Sequence, residues 1–277
     1  MATNNKYRLL LQVSAFVAVV IGAKLLVHFL GWEIIPVNPL FPGILAANVF
    51  LMGFLLSGVM SDFKESERLP GELSACLENL AQDVRGIRMA KPEANVGPCL
   101  ILLSQLSRDI LSWFHKKHGT AELLEHVNEL TLQFAAMEQW AQAVLLVRLK
   151  QEQGNLRRTL IRTYTIRETS FVSSGYLLAD LITILLCIGL VLSKIEPFYE
   201  SLFFVGVISY LMIFLIMLIR DLDNPFGYYE HYSVENVSLK PLEEAAGRLA
   251  QIASIEASPL NGGAEQCTAP DTDLPRR

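Results

Sequence analysis

The sequence predicts an all-α integral membrane protein, with four transmembrane helices and a helical insert between spans two and three. Three observations predict it. Charged residues make up only 18% of the 277, against about 25% in ordinary soluble domains, and the shortage is confined to certain stretches. Four of those stretches are apolar for roughly 20 residues, the length a helix needs to cross a hydrocarbon core of about 30 Å. Between the second and third, apolar residues recur every three or four positions, the period of an amphipathic helix. This composition excludes a disordered chain, a collagen-like chain and a disulfide-stapled miniprotein. The formal charge of -5 and the lack of a dominant basic run argue against a nucleic-acid partner.

The first span covers 9–30 and is interrupted by Lys24 and His28. Lys6 and Arg8 before it imitate the basic start of a signal peptide. The apolar run is too long for one, however, and no small-residue cleavage site follows, so the span is expected to be retained. The second span covers 42–60 and carries no charge. The third covers 171–193 around Asp180, and the fourth, 202–219, is again uncharged. Such lengths without a polar face do not suit the core helices of soluble proteins. Lys and Arg set the orientation. The segment 62–170 carries 14 of them, whereas 31–41 has none and 194–201 has one. Both termini and the insert are therefore expected in the cytoplasm, with two short loops outside, in a multi-pass protein of the cell (inner) membrane.

The insert, 62–170, reads as helices. Pro70 and Gly71 open one that runs to Met89, with Leu73, Leu77, Leu80, Val84 and Ile87 on its apolar side. Residues 91–98 form a loop. A second helix covers 99–117, with Gly119 as its C-cap. Thr120 then N-caps a long third helix, which could continue past a weak point at Gly154 into span three. Asp and Glu number 14 here, equal to the cations, so the insert as a whole is not a basic face. Arg157, Arg158, Arg162 and Arg167 nevertheless cluster before the membrane. They would either anchor the chain on anionic lipid or line a vestibule that concentrates anions.

After span four, 221–257 holds a post-span segment and a short amphipathic helix at 239–255. Residues 258–277 are rich in Pro, Gly, Thr and Asp and are expected to be disordered. Cys76, Cys99, Cys187 and Cys267 show no metal or redox spacing and read as reduced thiols. His115 and His118 stand three apart, but with two lysines between them they read as a solvated helix end. No phosphate loop, HExxH or G-x-S-x-G occurs. No enzyme, cofactor or metal is expected.

Charges inside spans are functional hypotheses by default. Lys24 is close enough to the outer end to snorkel. Asp180, about ten residues into its span, lies ~15 Å deep at 1.5 Å per residue. It needs a polar cavity, a hydroxyl or Lys24 on a neighbouring helix. In span two, Ala46, Phe50, Phe54, Gly58 and Ser61 follow one helical stripe, with Asn48 and Ser57 as the polar residues of the span. The stripe is either ordinary helix packing or, around the axis of an oligomer, a stack of apolar rings acting as a hydrophobic gate.

The segment Phe50-Leu51-Met52-Gly53-Phe54, followed by Glu65-Ser66-Glu67-Arg68-Leu69-Pro70, resembles the second span of bestrophins and the turn after it. Asp223-Asn224-Pro225-Phe226-Gly227 resembles the Asn-Pro-Phe-Gly motif that follows their last span. Leu239-Lys240-Pro241-Leu242-Glu243 is similar to the next helix of bacterial members. Two spans, a helical insert and two more spans is also the family's organisation.

The resemblance implies a pentameric channel, mostly for chloride and other anions, although some bacterial relatives pass cations. It implies a pore lined by span two, whose neck would be Ala46, Phe50 and Phe54. The sequence departs from the family in two ways, the first of which points to a divergent branch and the second away from gating by calcium. The usual Arg-Trp-Trp after span two is replaced by Met60-Ser61-Asp62-Phe63. The calcium-binding acidic run is absent, because Asp221, Asp223, Glu230 and Glu235 are too scattered.

The expected function is thus passive conduction of small anions such as chloride through a homo-oligomeric pore in membrane lipid. Phe50 and Phe54 form the constriction, and their ring edges offer a positive rim to an anion. Lys24, Asp180 and Ser57 supply pore or cavity polarity. Arg157, Arg158, Arg162 and Arg167 form the basic vestibule, and Asp223 to Gly227 turns the chain at the membrane exit. The rival reading is a pore-less membrane scaffold or regulator of the same fold. A secondary transporter is disfavoured, since four spans are few and no inverted repeat is visible.

Overall fold

The computed structural model describes residues 6–36, 38–169, 172–228 and 236–257. Expectations that fall on Phe171, on Glu230 and Glu235, on Cys267 and on the tail from 258 lie outside these. The first helix, α1, spans Lys6–Phe29. It ends where Gly31 takes a positive φ of 68°, a conformation that a residue without Cβ adopts freely. Two short strands follow in separate places: β1, Ile35–Pro36, pairs parallel with β2, Ser193–Lys194. This single bridge ties the α1–α2 connection to the connection between the last two spans.

The second helix, α2, runs Leu40–Ala90, 51 residues without interruption. Asn38 starts it, its side-chain oxygen accepting from the Leu40 and Phe41 amides at 3.0 and 3.3 Å. At 1.5 Å per residue it is about 75 Å long, enough to cross a bilayer and form the spine of the insert. The expected helix start at Pro70 is therefore corrected: Pro70 lies inside α2. Proline removes the donor to the carbonyl four residues earlier and costs about 3 kcal/mol. Here Leu69, Leu73, Leu77 and Leu80 are all buried around it, and burial of such side chains at about 1.5–3 kcal/mol each offsets the loss.

The insert continues with α3 (Gly97–Phe114), α4 (Thr120–Ala136) and α5 (Ala143–Glu168). α3 stops before the expected end. Lys116 takes a positive φ of 55°, and the Lys117 amide bonds back to the Ser112 carbonyl at 3.0 Å. Lys116 thus does the turning expected of Gly119, which instead precedes α4 as its N-cap. The Thr120 hydroxyl accepts from Trp113 Nε1 at 3.0 Å. The long third helix also breaks elsewhere than expected. The break falls between Ala136 and Ala143, and Gly154 is a plain exposed position within α5. Met137 is buried at the break and Trp140 packs beside the same core, so tertiary packing outweighs local helix preference.

The last two spans are α6 (Ser173–Leu192) and α7 (Phe198–Leu222), and α8 (Lys240–Ala257) closes the described chain. Four helical segments are long and apolar enough to cross a membrane: α1, the first part of α2, α6 and α7. Two cores result. In the span bundle, Met52, Leu55 and Val59 of α2 meet Ala179 and Leu186 of α6 and Met212 and Ile219 of α7. In the insert, the continuation of α2 packs with α3, α4, α5 and α8 around Trp113, Phe114 and Phe134. The molecule is an all-α membrane fold, and α2 belongs to both cores.

Candidate functional site

Helical periodicity divides the membrane part of α2 into two faces. Asn48, Met52, Leu55 and Val59 are buried against α6 and α7. On the opposite side Ala46, Phe50, Phe54, Ser57 and Ser61 are exposed. Phe50 is 79% and Phe54 60% open. Gly58 is half-buried, so Ser57 takes its expected place on the open stripe. Small residues, Ala46, Ala47 and Gly53, flank the two rings. No described helix of this chain covers this face.

Among the described residues, the buried side of α2 carries one polar contact at span depth. Asn48 Nδ2 donates to Thr183 Oγ1 of α6 at 3.1 Å. The Asn48 Oδ1 atom has no hydrogen-bond partner among the described residues. Asn48 therefore fixes α2 against α6 and sets which face remains open.

Lys24 and Asp180 do not meet, which removes that alternative for Asp180. Lys24 is fully buried. Its Nζ lies 2.8 Å from Glu33 Oε1 and donates to the Ser193 carbonyl of β2 at 2.5 Å. Glu33 also reaches His28 Nδ1 at 3.3 Å, and the His28 ring stacks on Phe198 at 3.7 Å. Snorkelling into water is corrected to burial within an ionic cluster, because the short β1–β2 bridge brings Glu33 and two carbonyls over the end of α1. Burial pushes the Glu33 carboxyl up, but bonds from Lys24 and His28 outweigh it and hold it below its ordinary range. Glu33 was missed by the sequence reading. The available signal was an acidic residue in a short connection free of Lys and Arg, nine residues after a lysine within a span.

Asp180 is seven residues from the start of the 20-residue α6, within three residues of its midpoint and on the side nearer the insert. It pairs with Arg220 in the last turn of α7. Both lie toward the end of the bundle that joins the insert.

The four arginines of α5 take different roles. Arg167 has a side chain only 5% exposed. Its guanidinium lies 4.2 Å from the Trp113 ring centre and donates to the Trp113 carbonyl at 3.0 Å, so it is a packing residue rather than part of an open basic surface. Arg162 makes a two-pronged pair with Glu65 at 2.7 and 2.6 Å. That bond keeps the Glu65 carboxyl below and the Arg162 guanidinium above their ordinary values. Nearby, burial pushes the Asp62 carboxyl up, against the pull of Arg162. Arg157 donates to Asn128 Oδ1 at 2.7 Å. Arg158 has no carboxylate partner among the described residues and faces α2.

The segment after α7 turns at once. The Gly227 amide reaches the Asn224 carbonyl at 3.3 Å, and the Val237 amide reaches that of Pro225 at 3.0 Å. Asp223 accepts from the Tyr176 hydroxyl at 2.7 Å. Phe226 is fully buried, its ring centre 5.2 Å from that of Phe114. This places Phe226 as a plug in the core of the insert.

Among the described residues no group of three or more His, Cys, Asp or Glu could hold a metal ion. His118 lies 3.4 Å from Glu122, and His115 packs beside Tyr228. Burial, partial at Cys76 and full at Cys99, pushes their thiols up to about 11 and about 12, away from the thiolate form that reacts.

No family model matches the sequence, and no curated protein is found similar to it. The fold, however, matches solved structures. A bacterial bestrophin homologue from Klebsiella pneumoniae superposes with a TM-score of 0.70 at 18% identity, over 90% of this chain and 98% of that one. A single-residue variant of that homologue gives a TM-score of 0.67 at 18% identity, over 91% of this chain and all of the other. The chain therefore has the bestrophin-like fold expected from its motifs.

Proposed function

We propose that the protein is a bestrophin-like ion channel, passing small ions, chiefly anions such as chloride, down their gradient through a homo-oligomeric pore. One observation carries this reading. Phe50 and Phe54 stand open on the stripe of α2 that the described helices leave uncovered, in a fold shared with bestrophin homologues. Two exposed phenylalanines in water forfeit about 1.5–3 kcal/mol each. Around a shared axis they form a narrow apolar neck that gates by dewetting. Ala46 sits one step along the stripe and widens that end of the neck, and Ser57 offers a hydroxyl on its other side. Resemblance to the family makes the assembly a pentamer.

Anion preference in this reading comes from ring edges at the neck and from cations that continue the stripe, Lys64 and Arg68, with Arg158 opposite. Lys24 does not contribute, because Glu33 neutralises it. The insert and both termini lie on the cytoplasmic side of the inner membrane, where Lys and Arg are concentrated. Catalysis plays no part.

Thiol accessibility tests the pore lining. Ser57→Cys should react with a charged, membrane-impermeant thiol reagent in intact vesicles, far faster than Ile184→Cys on the open face of α6. The native chain, treated with the same reagent, gives the background of its own thiols, of which Cys99 is buried and Cys76 half-buried. Equal, slow reaction at both positions would remove the stripe from any aqueous path and favour the pore-less scaffold.

A further inference from the structure

Below Phe54 and Ser57 the open face of α2 passes from apolar to polar. There it forms one wall of a cavity of about 580 Å³ whose other wall is α5. Ser61, Lys64 and Arg68 face it from α2, and Arg158, Thr159 and Arg162 from α5. Two carboxylates also line it, Glu65 and Glu72. Four cations against two carboxylates leave two positive charges in excess. The carboxylates are already engaged: Glu65 holds Arg162 through two bonds, and Glu72 lies 3.8 Å from Arg68. Lys64 and Arg158 have no carboxylate partner among the described residues.

We propose that this cleft binds a phosphoryl group, held between Lys64 and Arg158 and flanked by the hydroxyls of Ser61 and Thr159. The chemistry selects that class. An excess of two positive charges matches the charge of about -1.5 to -2 on a phosphate monoester. A guanidinium supplies a two-pronged donor and an ammonium a point charge, the usual pair for phosphate oxygens. The two-pronged Glu65 contact holds Arg162 along the wall, and Arg68 stands near Glu72 at the open side. The volume falls in the range of small-molecule sites and far exceeds a halide, so the phosphoryl group belongs to a larger body. The cleft begins just past Met60, where the apolar run of α2 ends. That is the level of lipid headgroups, and it is equally open to a free phosphate compound. This inference is independent of conduction, because binding is read without flux.

The test uses the full chain and two probes. Inorganic pyrophosphate is titrated calorimetrically onto detergent-purified protein. Retention of phosphatidic acid is read by native mass spectrometry of protein released from phosphatidylcholine nanodiscs that contain it. The expected result is binding of at least one probe by the native chain, weakened about tenfold or more in Lys64→Gln/Arg158→Gln. Both positions are exposed, and elution at the native oligomer volume checks the fold. Arg157→Gln removes the same charge from α5 outside the cleft and should change affinity less than twofold, about the scale of a surface charge. Pyrophosphate binding alone assigns a free ligand, and phosphatidic acid retention alone assigns a headgroup. The proposal is overturned if the native chain holds neither probe, if the double variant binds as tightly as the native chain, or if Arg157→Gln loses as much.

Discussion

The Lys24 ammonium lies 2.8 Å from the Glu33 carboxylate, inside a cluster that also takes in His28 and the Ser193 carbonyl. This contact joins α1 to the β1–β2 bridge and so closes one end of the span bundle. Removing one partner of a buried pair strands the other, at a cost of about 3–5 kcal/mol. Lys24→Met should therefore lower the unfolding temperature in detergent strongly. Glu33→Gln should cost less, about 1–3 kcal/mol, because two carbonyls still accept from Lys24. The double variant should recover part of the loss. Glu33 has its carboxyl held below the ordinary value near 4.5. Its contribution is therefore complete above that pH and fades as pH falls through the lower folded value. The difference between native and Glu33→Gln melting should shrink on acidification; a difference that grows would contradict the assignment.

Asp180 and Arg220 join α6 to α7 near the insert. Asp180→Asn or Arg220→Gln alone should destabilise the chain by leaving a charge without its partner against an apolar span. The combined variant should be more stable than the sum of the two losses requires. A coupling of about 1 kcal/mol or more in that cycle is expected; additive losses would mean that the pair is incidental.

Phe226 couples the end of α7 to the insert. It is fully buried against Phe114, and truncation to alanine should cost about 3–5 kcal/mol. Thermal unfolding of Phe226→Ala measures it. The exposed Tyr199→Ala, on α7 at the opposite end, serves as the neutral control. Equal effects would deny Phe226 its structural role.

Fold class was legible because a membrane imposes length and apolarity, and both can be read from single residues in order. Spans one, three and four, the start of span two and the terminal helix therefore emerged close to the observed helix limits. What depended on tertiary contact did not. Pro70 looked like a helix start because a proline's cost is local, whereas the leucines that offset it act through packing with α3, α5 and α8. The stop after Ala136 has no glycine or proline to announce it; Met137 and Trp140 end the helix by facing the core. The α2 stripe was readable from period alone, and its exposure needed the fold. Lys24 was visible as an anomaly, but Glu33 becomes its partner only through a two-residue bridge between connections 158 residues apart, Ile35 with Ser193. Likewise four arginines read as one patch, and the folded chain divides them among Trp113, Glu65, Asn128 and the open cleft.

Ion flux through the neck tests the central claim most directly. Purified protein in liposomes is challenged with chloride and potassium gradients in turn, beside the Phe50→Ala/Phe54→Ala variant at matched assembly. The channel account predicts chloride flux above potassium flux in the native protein. In the variant it predicts a rise of about tenfold, equivalent to about 1.4 kcal/mol off a dewetting barrier, with weaker discrimination between the ions. Flux that is absent from both, or identical in both, would contradict a pore gated by the α2 stripe.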